Sequence, residues 1–199
     1  EMRTLTERIL GFQARFTDEY ADAKYLLLDS LRESVRRVAE RVNKQARLEA
    51  DGFAEEDIPT RYRSLVRTVL GQMIRNSLSH GIESPAERER SAKDPVGKIQ
   101  LKSARTEGAY ILKVGDDGQG LRLERIREKL GEQAANLSRE ELVRSIFRTG
   151  FSPAENTSAL SGRGVGLDLI RERIKEYGGR LSVRCEEGQR TEFEIRLPA

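Results

Sequence analysis

One acidic, glycine-rich segment constrains this chain more than any other feature of its sequence. The segment reads Asp-Asp-Gly-Gln-Gly over residues 116–120 and directly follows an apolar run that alternates like a strand. A carboxylate from Asp116 could accept a hydrogen bond from the exocyclic amino group of adenine, and Gly118 and Gly120 would let the backbone lie close to the ring. In isolation, such a segment is more typical of an ordinary turn.

A second glycine-rich segment strengthens the nucleotide interpretation. Gly162, Gly164 and Gly166 alternate with Arg163 and Val165 at the predicted start of a helix. Free backbone N–H groups and the positive end of the helix dipole favour phosphate at such a position. These five residues are therefore candidates for a phosphate-binding loop.

A predicted helix upstream carries a polar face that suits a metal ion. Gln72, Asn76, Ser79 and His80 recur at helical spacing and so share one side of that helix. An asparagine carbonyl oxygen is a suitable ligand for Mg²⁺, which takes few protein ligands and completes its shell with water and phosphate oxygens. A polar helix face alone is more often simply solvated, but three complementary segments rarely occur together by chance. Together they predict a site for ATP and Mg.

Composition limits the remaining possibilities. With 199 residues, 37% of them hydrophobic, the chain can bury the core of one medium domain with a small appendage. No apolar run is long enough to span a membrane and no signal peptide is evident, so we expect a cytoplasmic segment without membrane contact. Cys185 is the single cysteine, which excludes an internal disulfide and a cysteine-built metal site. Arginines and glutamates are interleaved along the helices, which argues against a nucleic-acid partner.

The first part of the chain, residues 1–45, is predicted to be a helical dimerisation or linker segment. Two apolar runs recur at helical spacing in it: Leu5, Ile9, Phe12 and Phe16, then Leu28, Leu31, Val35, Val38 and Val42. They are consistent with a helical hairpin or a coiled-coil element that pairs with another chain, which would make a homodimer. A hairpin packed on its own domain explains them equally well.

Residues 46–199 are predicted to form one α+β domain, a two-layer α/β sandwich. Alternation predicts a short strand at 46–50, a hairpin built on Ile99, Leu101, Tyr110, Leu112 and Val114, and a second strand pair at 181–185 and 193–197. Helical periodicity predicts helices at about 59–79, 121–130, 139–146 and 164–177, with an irregular stretch at 149–161. The first residue is not methionine, and we expect the chain to be part of a longer protein.

Four segments together resemble a known family. They are Gln-Met-Ile-Arg-Asn-Ser-Leu-Ser-His-Gly-Ile-Glu from Gln72, the box at Asp116, Phe-Arg-Thr-Gly-Phe-Ser from Phe147, and Ser-Gly-Arg-Gly-Val-Gly from Ser161. They are similar to the ATP-binding catalytic domain of CheA-type histidine kinases, in the superfamily of gyrase, heat-shock chaperones, histidine kinases and MutL. The resemblance covers residues 46–199 and implies a Bergerat-type ATP-binding fold.

The resemblance implies a role for each matching residue. Asn76 would be the magnesium ligand, Asp116 the adenine acceptor, and His80 would lie beside the phosphates. Residues that would shape the pocket, its phosphate loop and its lid are Gly118, Gly120, Phe147, Phe151, Gly162, Arg163, Gly164, Val165, Gly166 and Thr191.

The sequence departs from the family at three places. Gln72 stands where chemotaxis kinases have histidine, Ser79 where they usually have aspartate, and Arg190 where the C-terminal box has a second glycine. The ATPases and anti-sigma-factor serine kinases of the superfamily resemble one another in having glutamate at the place of Gln72. Glutamine cannot be a general base at neutral pH, so a histidine acceptor, whose neutral ring already offers a lone pair, fits better than water or a hydroxyl.

The phosphoryl acceptor is expected outside this chain. His80 is the only histidine and would line its own nucleotide site. The sequence therefore predicts a sensor kinase core that phosphorylates a histidine phosphotransfer domain in trans and so supplies a response regulator. The alternatives are a catalytically weak nucleotide-binding regulator, or an anti-sigma-type serine kinase or ATPase on the same fold.

Overall fold

A computed structural model of the protein describes residues 27–147 and 166–199. The described helices are α1 (residues 27–41), α2 (Arg63–Asn76), α3 (Pro85–Arg90), α4 (Leu123–Leu130), α5 (Arg139–Ser145) and α6 (Leu167–Glu176). The strands are β1 (Ala46–Glu49), β2 (Gly97–Arg105), β3 (Ala109–Asp116), β4 (Arg180–Glu186) and β5 (Arg190–Pro198).

The strands form a single five-stranded sheet in the order β1-β2-β3-β5-β4. β1 is parallel to β2, and every other neighbouring pair is antiparallel. Ile99 and Leu101 on β2 are fully buried, whereas Gln100 and Lys102, which alternate with them, are exposed. This alternation places one face of the sheet against the helices and the other toward solvent. The predicted α+β two-layer architecture and both hairpins are confirmed.

α1 belongs to the same core as the rest of the described chain. Its buried residues Leu27, Leu31, Val35 and Ala39 follow one helical stripe and lie in the hydrophobic cluster that contains the sheet and α2. The first predicted helix, with Leu5 to Phe16, lies outside the described residues. A dimerisation role for residues 1–45 stays a prediction.

The long predicted helix at 59–79 is divided into three parts. A 3-10 turn at Thr60–Tyr62 leads into α2, and a π-helical turn at Ser77–Gly81 follows it. In that turn the Ile82 N–H donates to the Ser77 carbonyl at 2.7 Å, an i→i+5 bond that widens the helix. The widening lies where the polar face was predicted, between Asn76 and His80.

α3 was not predicted, although the sequence carries its start signal. Ser84 accepts a hydrogen bond from the Glu87 N–H, the Glu87 carboxylate accepts from the Ser84 N–H, and Pro85 occupies the first helical turn. This capping box fixes the start of a helix that is only six residues long. Within the described part of the chain, no helix is long and apolar enough to cross a membrane.

Candidate nucleotide-binding site

Asp116 ends β3 as a carboxylate that is almost fully enclosed, with 6% of its surface exposed. Its Oδ1 accepts a hydrogen bond from the Gly118 N–H at 3.1 Å, and its Oδ2 accepts one from the Ser77 hydroxyl at 2.8 Å. The turn after the strand and the helix opposite therefore hold the same carboxylate from two sides. Each oxygen keeps a lone pair for a further donor.

The backbone closes tightly around this carboxylate. A Cβ on Gly118 would lie 2.2 Å from the Gly81 carbonyl oxygen, and a Cβ on Gly81 would lie 2.7 Å from Asp116 Oδ1. At Gly120 a φ of +70° combines with an approach of 2.4 Å to the Glu186 carbonyl oxygen. A side chain at Gly118 or Gly120 would require backbone movement, and one at Gly81 would displace the Asp116 carboxylate. The role predicted for Gly118 and Gly120, to bring backbone close to the pocket, stays a prediction, and the contacts are consistent with it.

The second aspartate of the segment has a different environment from the first. Asp117 Oδ2 accepts a hydrogen bond from Arg88 Nη2 at 2.9 Å, and its Oδ1 accepts one from the Lys98 N–H at 2.8 Å. Arg88 is 1% exposed and also contacts Glu83, which in turn pairs with Lys93. We name Glu83, Arg88, Lys93 and Asp117 the buried ion network. It anchors the turn that follows Asp116.

Gln72 and Asn76 are in contact on the exposed side of α2. Gln72 Nε2 donates to Asn76 Oδ1 at 3.3 Å, and Arg75 Nη2 donates to Gln72 Oε1 at 2.8 Å. The guanidinium thereby orients the glutamine amide so that its NH₂ group points at the asparagine oxygen. The contact is long, and the amide oxygen of Asn76 keeps a lone pair for a cation.

The π-helical turn carries His80 and is held by two distant side chains. Lys44 Nζ donates to the Leu78 carbonyl at 2.7 Å, and Gln119 Nε2 donates to the His80 carbonyl at 2.6 Å. Partial desolvation, with a further contribution from the Lys44 charge, lowers the pKa of His80. The imidazole is therefore neutral at neutral pH.

Burial controls the ionisation of Asp116. The pKa of Asp116 is raised from 3.8 to about 6, mainly by desolvation and in addition by the nearby acidic groups Asp117 and Glu83. The hydrogen bonds from Ser77 and Gly118 oppose that rise but do not cancel it. The carboxylate is still mostly ionised at pH 7.5 and can accept a hydrogen bond.

Two further predicted residues, Thr191 and Phe147, contact the sheet. Thr191 on β5 is buried and is the register partner of Asp116, so it lies beside that residue on the adjacent strand. Phe147 packs edge-on against Phe193 of β5, with ring centroids 6.5 Å apart, and belongs to the core. The bracing role predicted for Phe147 stays a prediction.

The second glycine-rich segment is described only at its end. Gly166 precedes α6, and its carbonyl accepts from the Ile170 N–H. Phe151, Gly162, Arg163, Gly164 and Val165 lie outside the described residues, as does the predicted irregular stretch. Of the predicted residues that the structure describes, Gly118 and Thr191 adjoin Asp116, and Asn76 directly precedes Ser77, which donates to that carboxylate.

Sequence reasoning missed several residues that shape the site. Ser77 and Gly81 belong to the segment that begins at Gln72. The helical periodicity that placed Asn76 on the polar face assigned no role to either of them. The buried ion network left no local signal, because its partners are brought together only by the fold. Gln119 lies between Gly118 and Gly120, and that position could have drawn attention to it.

The donor set fits a nucleotide and one magnesium ion. A nearly enclosed carboxylate with free lone pairs suits an amino group on a flat ring. Within the described ranges no group of three or more His, Cys, Asp or Glu residues is arranged to hold a metal. A magnesium ion would therefore depend on Asn76 and on phosphate oxygens.

The chain is similar to known proteins along most of its length. The family model described as "Histidine kinase-, DNA gyrase B-, and HSP90-like ATPase" matches residues 63–199. The chemotaxis protein CheA of Rhizobium meliloti (strain 1021) is 37% identical over 169 residues, which are 82% of this chain and 22% of that protein.

Two other curated relatives match over nearly the whole chain. The chemotaxis protein CheA of Klebsiella aerogenes is 36% identical over 98% of this chain and 29% of its own length. The gliding motility regulatory protein of Myxococcus xanthus is 33% identical over 94% of this chain and 26% of its own length. The chain thus spans less than a third of the length of these relatives. Among solved structures, the histidine kinase domain from Erythrobacter litoralis EL346 blue-light activated histidine kinase aligns with a TM-score of 0.47 at 17% identity, over 86% of this chain and 60% of that one.

Proposed function

The chain belongs to the family of histidine kinase-, DNA gyrase B- and HSP90-like ATPases, and from this premise we propose that it is the ATP-binding catalytic core of a CheA-like histidine kinase. It transfers the γ-phosphoryl group of ATP to a histidine on another domain or protein in two-component signalling. The relatives named chemotaxis protein CheA confirm the resemblance drawn from the sequence and support this branch of the family.

The arrangement of Gln72 is the observation that carries the proposal. An amide, oriented by Arg75, occupies the position beside Asn76 where a general base would be needed to activate water or a hydroxyl. A neutral imidazole acceptor needs no such base, because its lone pair is already available. Phosphoryl transfer to histidine then depends on positioning and charge stabilisation, which this site can supply.

The chain's own residues have separable roles in that reaction. Asp116, fixed by Ser77 and Gly118, accepts the adenine amino group and so sets the register of the nucleotide. Asn76 supplies an amide oxygen close to Gln72, on the side of α2 that faces away from the core. Magnesium held by Asn76 and the phosphates would neutralise charge that develops on the phosphoryl oxygens.

The acceptor histidine lies outside this chain. His80 is its only histidine and is fixed in the π-helical turn through its own backbone carbonyl, a few residues after Asn76. The partners of this core are then a histidine phosphotransfer domain and, downstream of it, a response regulator.

Radiolabelled ATP tests the proposal. The purified chain is mixed with ATP, Mg²⁺ and separately purified phosphotransfer domains, and acid-labile, alkali-stable label is sought on each domain. We expect one domain to be labelled at its histidine, and no label on the chain alone. An Asp116→Asn variant, which lacks the adenine acceptor, is the control and should leave the domain unlabelled.

Two results would contradict the proposal and identify an alternative. Tight ATP binding without transfer to any domain would indicate a nucleotide-dependent regulator. ATP hydrolysis well above that of an Asn76→Ala variant would indicate an ATPase.

Gln72→Glu is predicted to increase ATP hydrolysis. The substitution puts a carboxylate on the same side of α2 as Asn76, where it can assist attack by water, and general bases typically contribute at least about a hundredfold. Because Arg75 already contacts this side chain and would hold the new carboxylate, we expect a smaller rise of roughly tenfold. Phosphate release measures it, with Gln72→Met as the matched control that should show no rise. Equal hydrolysis by the two variants would mean that residue 72 does not face the reacting group.

A further inference from the structure

The last four carbonyl groups of the π-helical turn accept hydrogen bonds from distant parts of the chain. A helix leaves its final carbonyl groups without donors of its own. The carbonyls of residues 78 and 79 accept from Lys44 Nζ, at 2.7 and 3.4 Å. The carbonyl of residue 80 accepts from Gln119 Nε2 at 2.6 Å, and that of residue 81 accepts from the Gln119 N–H at 2.9 Å. Two residues therefore complete a helix end to which neither belongs.

Lys44 is placed by the end of α1. Asn43 has a left-handed φ of 52°, and the Lys44 N–H donates to the Ala39 carbonyl at 2.9 Å, which is the Schellman closure of a helix C-terminus. The backbone of Lys44 thus closes α1, while its side chain reaches the end of a second helix. A positive charge is favourable there, because the carbonyl end of a helix dipole is negative.

Gln119 is held on both sides and carries an acceptor without a partner. Its carbonyl accepts from the Gly188 N–H at 2.7 Å, so its backbone bridges the π-helical turn and the turn between β4 and β5. Its Oε1 is shielded from solvent and has no hydrogen-bond partner among the residues that the structure describes. Burial of an unpaired acceptor costs stability, and an apolar side chain of similar length would avoid that cost. The amide therefore serves the contact that its NH₂ group makes with the His80 carbonyl.

Packing holds the two ends of the π-helical turn, and the exposed middle depends on these hydrogen bonds. Ser77 and Ile82 are buried, whereas Ser79 and His80 between them are exposed. The Ser77 N–H also donates to carbonyls of α2. Loss of either distant donor would therefore loosen His80 and leave the contact of Ser77 with Asp116 in place.

We propose that Lys44 and Gln119 are positioning residues for phosphoryl transfer, an inference that rests on the proposed function. They hold the exposed middle of the π-helical turn, and with it His80, one helical turn beyond Asn76. Transfer to a histidine depends on the placement of groups around the phosphates rather than on a general base, so a loosened turn slows it. Asp116 takes its hydrogen bonds from Ser77 and Gly118, so loss of the Gln119 amide leaves the adenine acceptor in place.

Gln119→Met separates positioning from folding. The substitution removes the donor and the unpaired acceptor together and keeps a side chain of similar length. We expect kcat for labelling the phosphotransfer domain to fall by roughly tenfold and the KM for ATP to stay within about twofold. The urea unfolding midpoint should not fall, because no polar atom is left buried without a partner. Gln100→Met, on the solvent face of the sheet, is the matched control and should keep the wild-type kcat.

Lys44 is tested by its charge and by a spectroscopic signal. Lys44→Met should lower kcat at saturating ATP by roughly tenfold, and Lys44→Arg, which keeps a cationic donor, should restore most of it. His80 is the single histidine, so the tag-free chain gives one Hε1 signal in its NMR spectrum. Because the Lys44 charge contributes to the lowered pKa of His80, Lys44→Met should raise that pKa. Lys44→Arg and the exposed control Lys102→Met should leave it close to wild type.

Each outcome supports or overturns the inference. Wild-type transfer with an unchanged kcat in Gln119→Met and Lys44→Met would overturn it and leave the proposed function intact. A lower unfolding midpoint for Gln119→Met, or an equal loss of kcat in Gln100→Met, would assign the amide a structural role instead. An unmoved His80 pKa in Lys44→Met would show that the ammonium does not act on His80. If the wild type labels no domain, the proposed function fails, and this inference fails with it.

Discussion

At the scale of single residues, Asp116 shows a conflict between stability and binding. A carboxylate enclosed by β3, Gly118 and Ser77 loses hydration that two hydrogen bonds do not replace, and its pKa rises to about 6. Aspartate occupies residue 116 although the neutral amide of asparagine would be easier to bury there. A need for negative charge in the pocket accounts for that choice.

Asp116→Asn is predicted to stabilise the fold at pH 7.5 and to abolish nucleotide binding. The amide oxygen can still accept from Gly118, its NH₂ group can donate to the Ser77 oxygen, and no charge is buried. A shift from 3.8 to about 6 corresponds to a cost of roughly 3 kcal/mol for the ionised carboxylate, at about 1.36 kcal/mol per pKa unit. Urea unfolding measures the gain and calorimetry with ATP the loss of binding.

The gain in stability should depend on pH with a definite sign. Because the folded state holds the Asp116 proton more tightly than the unfolded state, wild-type stability falls as pH rises from 3.8 to about 6, and the cost is complete above that range. The advantage of Asp116→Asn should therefore disappear near pH 4. An advantage that is equally large at pH 4 and pH 7.5 would rule out desolvation of the charge as its source.

Binding of the adenine group should weaken in acid for the same reason. Protonated Asp116 is a poorer acceptor, and with a pKa of about 6 the ionised fraction falls roughly tenfold between pH 7.5 and pH 5. We expect the affinity for adenosine to fall by about the same factor, as followed by ligand-detected NMR. Adenosine is the better probe than ATP because it has no phosphates that titrate in this range. An affinity that is flat over this range would mean that the carboxylate does not bind the base.

At the scale of elements, the buried ion network connects α3 to the turn that carries Asp116. Arg88 from α3 contacts Glu83, Asp117 and the Asp94 carbonyl at once, and its side chain is 1% exposed. Its two acidic partners are less completely enclosed: the side chain of Glu83 is 11% exposed and that of Asp117 is 34% exposed. The network makes the position of the pocket depend on a short helix that contributes no predicted ligand.

Arg88→Met is predicted to destabilise the fold by about 3 kcal/mol and to weaken ATP binding, because it leaves the partly buried carboxylates of Glu83 and Asp117 without their shared cation. Arg88→Lys should rescue little, since one ammonium cannot reproduce the fork that contacts Glu83 and Asp117 together. Urea unfolding and an ATP titration provide the two measurements. The control is Arg90→Met on the exposed side of α3. Equal losses in the Arg88 and Arg90 variants would argue against the network as the cause.

The elements also show how far sequence reasoning reaches. The alternation of Ile99 and Leu101, and of Tyr110, Leu112 and Val114, was enough to predict the β2–β3 hairpin, because one buried face imposes a period of two. The π-helical turn could not be predicted. It is held by Lys44 and Gln119, which are distant in sequence, and local propensity contains no information about them.

The same limit applies to the candidate site. Asp116 was identifiable because a carboxylate followed by glycines has a specific chemical use. Ser77, which donates to that carboxylate, was not, because a serine in a helix is common and its partner is 39 residues away. The parallel pairing of β1 with β2 likewise depends on the path of the intervening chain rather than on the residues of β1.

At the scale of the whole molecule, α1 and the sheet share one hydrophobic core. The stripe Leu27, Leu31, Val35 and Ala39 is almost fully buried and is continuous with the residues that support α2. Lys44 lies between α1 and β1, and its ammonium group donates to the Leu78 carbonyl in the π-helical turn beside the candidate site. The helix before the sheet is thereby joined to the rest of the domain by packing, and the segment that follows it is joined to the π-helical turn by a hydrogen bond.

Leu31→Ala is predicted to destabilise the ATPase fold itself, by about 2–5 kcal/mol, because it leaves a cavity in that shared core. Leu31 is 5% exposed, whereas Arg32 on the next position of the helix is exposed, so Arg32→Ala is the matched control and should change stability by less than about 0.5 kcal/mol. Urea unfolding, followed by far-ultraviolet circular dichroism, measures both.

A truncated chain that begins at residue 46 should lose more stability than Leu31→Ala, since the whole stripe is removed and its partners become exposed. If α1 were an independent linker, Leu31→Ala and the truncation would leave the unfolding midpoint of the remaining domain unchanged, and ATP would stabilise the truncated chain as strongly as the full one.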